Sequence, residues 1–422
     1  MTEGKIVVGV DVGTSKIATI IAKVDEETVN VLGVSEVRSS GVKKGQIVDI
    51  EEAVLSINAS LEAAERMAGL SASHVIASIG GDHIESLNSR GVVAVSNPDA
   101  EINEGDLARV IDAARAVSLP SSREIIHVLP RSYIVDGQGG VKAPLGMTGV
   151  RLEVDTHIIS AGTTSVRNLE KAFSEVGVDV DAVVFSGLAS SLAALSDTEK
   201  ELGVVLVDIG AGTTEISIYA EGSVGYSSVL PIGARHITND LAIGLRISLE
   251  SAEKIKLFLS DQKKSSEGFL KEKTDEIDLS SLNLAEELTK VSEKTLIDGI
   301  IKPRLNEIFT FVGLEIKKSG FGGQTPSGLV LTGGGSLTVG AVECAKRVLA
   351  MPVRIGKPNN IKGIIDEIQT PSFTAAVGLA VYGREVETQS QLPFGFSIPQ
   401  IPNLPVGKHI DRVVSFIKSF MP

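Results

Sequence analysis

The sequence predicts an α/β protein of two domains built on duplicated sheet–helix cores. Strand-like apolar runs alternate with helical periodicity along most of the 422 residues. The opening strand and turn also recur, VVGVDVG at Val7–Gly13 being matched by VVLVDIG at Val204–Gly210, with Asp208 placed 197 residues after Asp11. A repeat that long is no solenoid period, so two similar domains facing each other are expected. Composition agrees: 43% hydrophobic and 22% charged residues supply a packed core and exclude a wholly disordered chain.

The formal charge of −13, no Trp and 4% aromatics argue against a nucleic-acid binder, which needs positive surface and stacking rings. Cys344, the one cysteine, cannot form an internal disulfide, which suits a reducing compartment. It lies on an apolar-patterned stretch and reads as a small buried hydrophobe. The start, MTEGKIVVGVDVG, lacks a basic segment followed by an apolar one, and no run approaches about 18 apolar residues. A soluble cytoplasmic body is expected.

In chain order, Ile6–Val10, Ile17–Val24 and Thr28–Ser35 read as strands. Asp49–Met67 turns helical, with Val54, Ile57, Leu61 and Ala64 on one face, and His74–Ile79 returns to strand. Residues 83–162 form a separate block. Asn103 and Asp106 mark a capped helix start, with Leu107, Val110, Ile111, Ala114 and Val117 following, and Ile125–Val128, Ser132–Val135 and Leu152–Ser160 read as strands. The charged, Ser-rich stretch Ser260–Glu293 reads as surface loops with short elements. Past Gly383 come Pro393, Pro399, Pro402 and Pro405, an extended linker with little helix. The expected divisions are residues 1–82 and 163–203 for the first core, 83–162 inserted, 204–384 for the second with a subdomain around 244–325, then 385–405 and 406–422.

Three glycine-containing turns follow strands: DVGTSK at Asp11–Lys16, DIGAGTT at Asp208–Thr214 and TGGGS at Thr332–Ser336. Glycine lets successive backbone N–H groups approach an anion, and magnesium takes carboxylate and phosphate oxygens. One DxG turn is as readily plain strand punctuation; two at matching positions with a third glycine loop point to a phosphate site. GGGS follows a strand at Leu329–Leu331 and precedes a helical stretch read as Leu337–Leu349, whose N-terminus could face a nucleotide. No GxxxxGK[ST] occurs, which excludes a P-loop.

With TAAVGLAVYG at Thr374–Gly383, these loops resemble the actin/heat-shock-chaperone/sugar-kinase ATPase superfamily. IGGDHI at Ile79–Ile84, GMTGVRLEVDTHII, PIGARHITNDLA and the C-terminal segment resemble, more finely, the FtsA family of bacterial cell-division proteins. The resemblance covers essentially the whole chain. It implies an actin-like fold of four subdomains with a relocated insertion, and ATP with Mg2+ in the cleft. Carried over by motif, Gly13, Thr14, Ser15 and Lys16 and Gly210, Ala211, Gly212, Thr213 and Thr214 would cradle phosphates, while Asp11 and Asp208 would organise magnesium through water. Gly233 and Asn239 would line the cleft. Glu253 and Lys256 would meet ribose and base, or else form a solvated helix face. Gly333, Gly334, Gly335 and Ser336 would border the adenosine.

Actin-like ATPases commonly place Gln or Glu at the helix before the second phosphate loop. Val183–Leu195 (VVFSGLASSLAAL) has no Gln, Glu, Asp or His, so nucleotide binding with slow or negligible hydrolysis is expected. In the last 17 residues Val406, Ile410, Val413, Val414, Ile417, Phe420 and Met421 occupy an arc of about 120° on a helix, with Phe416 at its flank and Lys408, Arg412 and Lys418 on the polar side. Such a helix lies in an anionic membrane interface or folds back on the core. The resemblance implies the membrane role, self-assembly into an actin-like protofilament, binding of the FtsZ C-terminal peptide and recruitment of later division proteins. Arg304, in IIKPRLNEIF, would meet that acidic peptide or pair with Glu307 on its own helix. A pilus-assembly adaptor or a small-molecule kinase on the same fold are the alternatives, and a chaperone ATPase would need a substrate domain where only a linker stands.

Overall fold

A tight hairpin starts the chain in the computed structural model, which describes residues 4–25, 28–96, 101–265, 275–286 and 288–390. β1 (Lys5–Val12) and β2 (Lys16–Val24) pair antiparallel from Lys5↔Val24 to Val12↔Ile17, and β3 (Val29–Arg38) continues the meander. Apart from exposed Ile6, the β-branched residues of β1 and β2 are buried on both faces, as a sheet covered on both sides requires. After a small hairpin of β4 (Val42–Lys43) and β5 (Gln46–Ile47), α1 (Ile50–Ala68) crosses the sheet. Asp49 caps it by accepting from the Glu52 amide, and Gly69 ends it in the left-handed region. Gly33 sets the closeness of that crossing, because a Cβ there would lie 2.4 Å from the Ala64 carbonyl. β6 (His74–Ile79) runs parallel to β1 on its other side.

The chain then builds β7 (Glu85–Ala94), α2 (Glu104–Arg115), β8 (Arg123–Val135), β9 (Gln138–Val141) and β10 (Arg151–Gly162), a four-stranded sheet in the order β7-β10-β8-β9. It has its own small core of Ile102, Val110, Ala114, Val135, Leu152 and Val154. Both bonds of the Asn103–Asp106 capping box form. The two short strands expected at 125–128 and 132–135 are one strand. Pro130 cannot donate to the ladder, and a bulge at Arg131 absorbs the slip between Pro130↔Thr156 and Ser132↔Asp155. β7 was not anticipated, its polar sequence ESLNSRGVVA lacking an apolar run.

α3 (Thr163–Val176) returns the chain to the first sheet, where β11 (Asp179–Phe185) pairs with β6. α4 (Ser186–Ala194) and α5 (Asp197–Leu202) lead to the second sheet. There β12 (Val204–Ile209), β13 (Thr214–Ala220) and β14 (Ser223–Leu230) repeat the opening meander. The repeat extends to the turn bond: Gly13 N donates to Lys16 O at 3.0 Å and Gly210 N to Thr213 O at 2.9 Å. β12 divides the interior by its period of two. Val205, Val207 and Ile209 enter the second core, while Val204 and Leu206 join the first.

Next come α6 (Ala234–Leu245), α7 (Leu249–Ser265), the pair β15 (Glu276–Asp278) and β16 (Lys290–Ser292), and α8 (Lys302–Ser319), entered through a π-helical turn. β17 (Leu329–Thr332) joins β12 in parallel, followed by α9 (Ala341–Leu349), β18 (Val353–Ile355), β19 (Ile361–Gly363), α10 (Ile365–Ile368) and α11 (Thr374–Ser390). The sheets are ordered β11-β6-β1-β2-β3-β19 and β14-β13-β12-β17-β18. The helix expected over Leu337–Leu349 begins only at Ala341. A 3-10 turn spans Gly334–Leu337, and Gly340, at φ 84, redirects the chain first. Helix α11 runs to Ser390, six residues into the stretch expected to be linker.

The inserted sheet also meets the second lobe. Ser86 Oγ donates to Ser227 O at 2.6 Å, Asn88 Nδ2 to Gly225 O at 3.1 Å, and the His157 ring bridges Asn88 and Ser227. Burial pushes His157 down to about 3, so it is neutral at pH 7.

α11 crosses α4 at Gly378, where a Cβ would lie 1.8 Å from the Ala189 carbonyl oxygen. Gly378→Ala should therefore cost about 1–3 kcal/mol and lower the melting temperature by several degrees. Gly323→Ala, with nothing within 4 Å of its Cβ, should leave the melt almost unchanged.

Candidate functional site

The two repeated hairpins end face to face. A Cβ on Gly212 would lie 2.7 Å from Thr14 Oγ1 and 3.1 Å from Lys44 Cα, so the second turn packs against the first with no room for a side chain. Thr14 Oγ1 accepts from the Gly45 amide at 3.0 Å, and Ser15 O accepts from Ser39 N. The amides of Ala234 and Arg235 donate to Gly210 O and Ala211 O, and a Cβ on Gly233 would fall 2.6 Å from that Gly210 oxygen. Gly333 closes the group, a Cβ there coming within 2.1 Å of Asp208 Oδ1. Residues 13–16, 210–214, 233 and 333–336 thus converge. Gly335 and Ser336 are buried, and Gly334 is exposed.

Two aspartates end the central strands. Asp11 accepts from Ser78 Oγ at 2.7 Å and Asp208 from Ser190 Oγ at 2.5 Å. Burial raises both above the usual carboxylate range. Serine bonds and the Lys16 charge offset this only in part, and the Asp11 charge adds to it at Asp208.

A third carboxylate escaped the sequence reading. Register pairs Asp208 with Glu215, where the first copy pairs Asp11 with Ala18. Glu215 is buried, accepts from Thr213 Oγ1 at 2.7 Å, and is pushed up by burial and then by Asp208. A Cβ on Gly80 would lie 2.9 Å from both Glu215 Oε1 and Ser186 Oγ, which places IGGD and the first residue of α4 beside it. The signal lay in the 197-residue offset, which carries position 18 onto position 215.

On the second lobe, Thr238 on α6 donates to Glu253 Oε2 at 2.5 Å, and Lys256 Nζ reaches Thr238 at 2.9 Å and Glu253 at 2.7 Å. Lys256 is 7% exposed, so it does not belong to a solvated face. Ser260 Oγ, one turn on, accepts from Val339 N and ties α7 to the loop after Gly333–Ser336. Asn239 sits half-buried on α6. Arg304 lies elsewhere, on α8, donating through Nε and Nη2 to Asp240 at 2.6 and 2.9 Å and also pairing with Glu307. The tail residues Val406–Met421 lie outside the described residues.

Chemically, glycine turns bring backbone amides close to the carboxylates of Asp11 and Asp208, a donor set suited to polyphosphate with a hard divalent cation. Among the described residues no group of three or more His, Cys, Asp or Glu is placed to hold a metal ion unaided.

Comparison with known proteins follows the same lines. Residues 81–160 match the family model described as the SHS2 domain inserted in FTSA, and residues 205–378 that of cell division protein FtsA. The chain is 39% identical over 396 residues to the cell division protein FtsA of Pseudomonas aeruginosa, covering 91% of each. It is 33% identical over 425 residues to that of Escherichia coli, covering 99% of this chain and 98% of the relative. Among solved structures, a PilM–PilN type IV pilus biogenesis complex superposes with a TM-score of 0.63 at 16% identity, covering 90% of this chain and 98% of that one. MreB5 of Spiroplasma citri bound to ADP gives 0.52 at 14%, covering 93% and 100%. At these identities the likeness is one of fold, and the fold is actin-like.

The raised carboxylates set a pH dependence. A folded-state pKa above the unfolded value means that stability is greatest at low pH and is lost as pH rises through the folded pKa. Asp208→Asn should therefore raise the melting temperature at pH 8, with the gain shrinking toward pH 5. Thermal melts across that range measure it, and a gain independent of pH would contradict the assignment.

Proposed function

The chain belongs to the FtsA family of cell-division proteins, and from that premise we propose that it binds Mg-ATP between its lobes, assembles into protofilaments and holds FtsZ filaments at the membrane. The observation that carries the nucleotide reading is the meeting of two equivalent turns over half-buried Asp11 and buried Asp208. Bound magnesium would supply the positive charge that these carboxylates lack. The turn amides of Gly13–Lys16 and Gly210–Thr214 hold the phosphates, Gly333–Ser336 border the adenosine, and the Thr238–Glu253–Lys256 cluster offers polar groups to ribose and base. Gly233 and Asn239 line the wall.

Turnover is slow on this reading. The α4 segment has no acid or amide, and Glu215 is held by Thr213 with its proton retained near neutral pH. A fluorescent ATP analogue should bind with Mg2+ and be lost in Gly212→Val, whose side chain would enter Thr14. Phosphate release should stay below about 1 per second, the low end for ordinary enzymes.

The segment 406–422 is the membrane contact, its apolar arc entering the interface and Lys408, Arg412 and Lys418 facing anionic headgroups. Among the described residues no helix is long and apolar enough to cross a membrane. One copy binds reversibly, and a filament displaying many binds far more tightly. On this reading the protein works at the cytoplasmic face of the division septum, and the insertion engages later division proteins. Arg304 serves the FtsZ tail, an acidic peptide displacing Asp240 and Glu307 from the guanidinium.

Deleting 406–422 should abolish co-sedimentation with anionic vesicles. Arg304→Glu should weaken binding of the FtsZ C-terminal peptide. Vesicle binding that survives the deletion, or unchanged peptide affinity, removes the corresponding role.

A further inference from the structure

Lys16 ends the first phosphate turn, yet its charge is already engaged. Register pairs Asp11 with Ala18 and Ala18 with Glu36, so Asp11, Lys16 and Glu36 project from one face of the sheet in neighbouring rows. On that face the Lys16 ammonium turns to Glu36 on β3, with Nζ 2.7 Å from Oε2. The Phe373 ring lies under the same ammonium, 4.1 Å from Nζ to the ring centroid, and adds a cation–π contact. Phe373 belongs to the turn Pro371–Phe373, whose Pro371 carbonyl accepts from Gly333 N at 3.1 Å. The perch of Lys16 is thus built in part from a turn hydrogen-bonded to the loop that carries Gly333. The lysine side chain is 18% exposed and its carboxylate partner 50%, so the pair is only partly screened. The second lobe has no counterpart: position 213 is Thr, which donates to Glu215.

We propose that Glu36 is a positioning residue that competes with the phosphates for Lys16. The inference rests on the nucleotide reading above. Phosphate oxygens recruit the ammonium only by drawing it off Glu36 and Phe373. Glu36 therefore lowers affinity for a polyphosphate while leaving the nucleoside part of the ligand unaffected.

Equilibrium titration of the full chain with a fluorescent ATP analogue and Mg2+, and in parallel with adenosine, tests this. Glu36→Gln should tighten ATP binding about two- to fivefold, the span a half-exposed ion pair covers, and leave adenosine binding unchanged. Glu36→Asp, which keeps the charge, should fall back toward the parent affinity. In a Lys16→Gln background Glu36→Gln should have no effect. Unchanged or weaker ATP binding by Glu36→Gln, in a protein whose parent binds ATP, overturns the proposal alone. So does an equal gain in the Lys16→Gln background, which would mark a diffuse charge effect. A parent that binds no ATP removes the nucleotide reading and this inference with it.

Discussion

A carboxylate taken out of water must find a cation or enough hydrogen bonds, or else hold its proton. Asp208 and Glu215 are buried and Asp11 is half-buried, and each is met by one hydroxyl, from Ser190, Thr213 and Ser78 respectively. The lysine whose charge reaches the aspartates is committed to Glu36. Much of the surrounding sequence follows from this. Small residues on α4 let Ser190 reach Asp208, glycine at 80 leaves space for Glu215, and glycine at 333 lets a third loop touch Asp208. The three carboxylates, raised by burial, are a local cost that the rest of the fold must offset.

The duplication explains why the two lobes resemble each other without being interchangeable. Both hairpins close with the same turn bond, yet their flanking residues differ: Lys16 against Thr213, Ala18 against Glu215. One lobe thereby contributes the cation and the other an extra acid. The lobes are symmetric in backbone and complementary in charge.

What could be read from sequence divides along physical lines. The strands around Asp11 and Asp208 were legible because β-branched runs buried on both faces leave an unbroken apolar signature. Gly212 and Gly333 were legible as turn glycines after strands, although the neighbours that leave them no room for a side chain, Thr14 and Asp208, were not. Glu215 hid inside a strand whose neighbours are all buried, with nothing local to set it apart from an ordinary exposed acid. The start of α9 was misplaced because Leu337 continues the helical spacing of Ala341, Cys344, Ala345 and Val348, while the left-handed Gly340 decides the boundary. Arg304 illustrates the remaining limit. Its partner Glu307 is visible at three residues' distance, but Asp240, which holds it by two bonds, is brought there by tertiary folding.

The inserted sheet is covalently continuous with the first lobe, through β6 and α3, and hydrogen-bonded to the edge strand of the second. Its seam has a neutral imidazole at the centre and backbone carbonyls at either side. The two halves of the molecule are therefore joined along one flank as well as through their shared core. Parting the halves thus means either breaking the bonds of Ser86, Asn88 and His157 to β14 or carrying the insertion along with the second sheet.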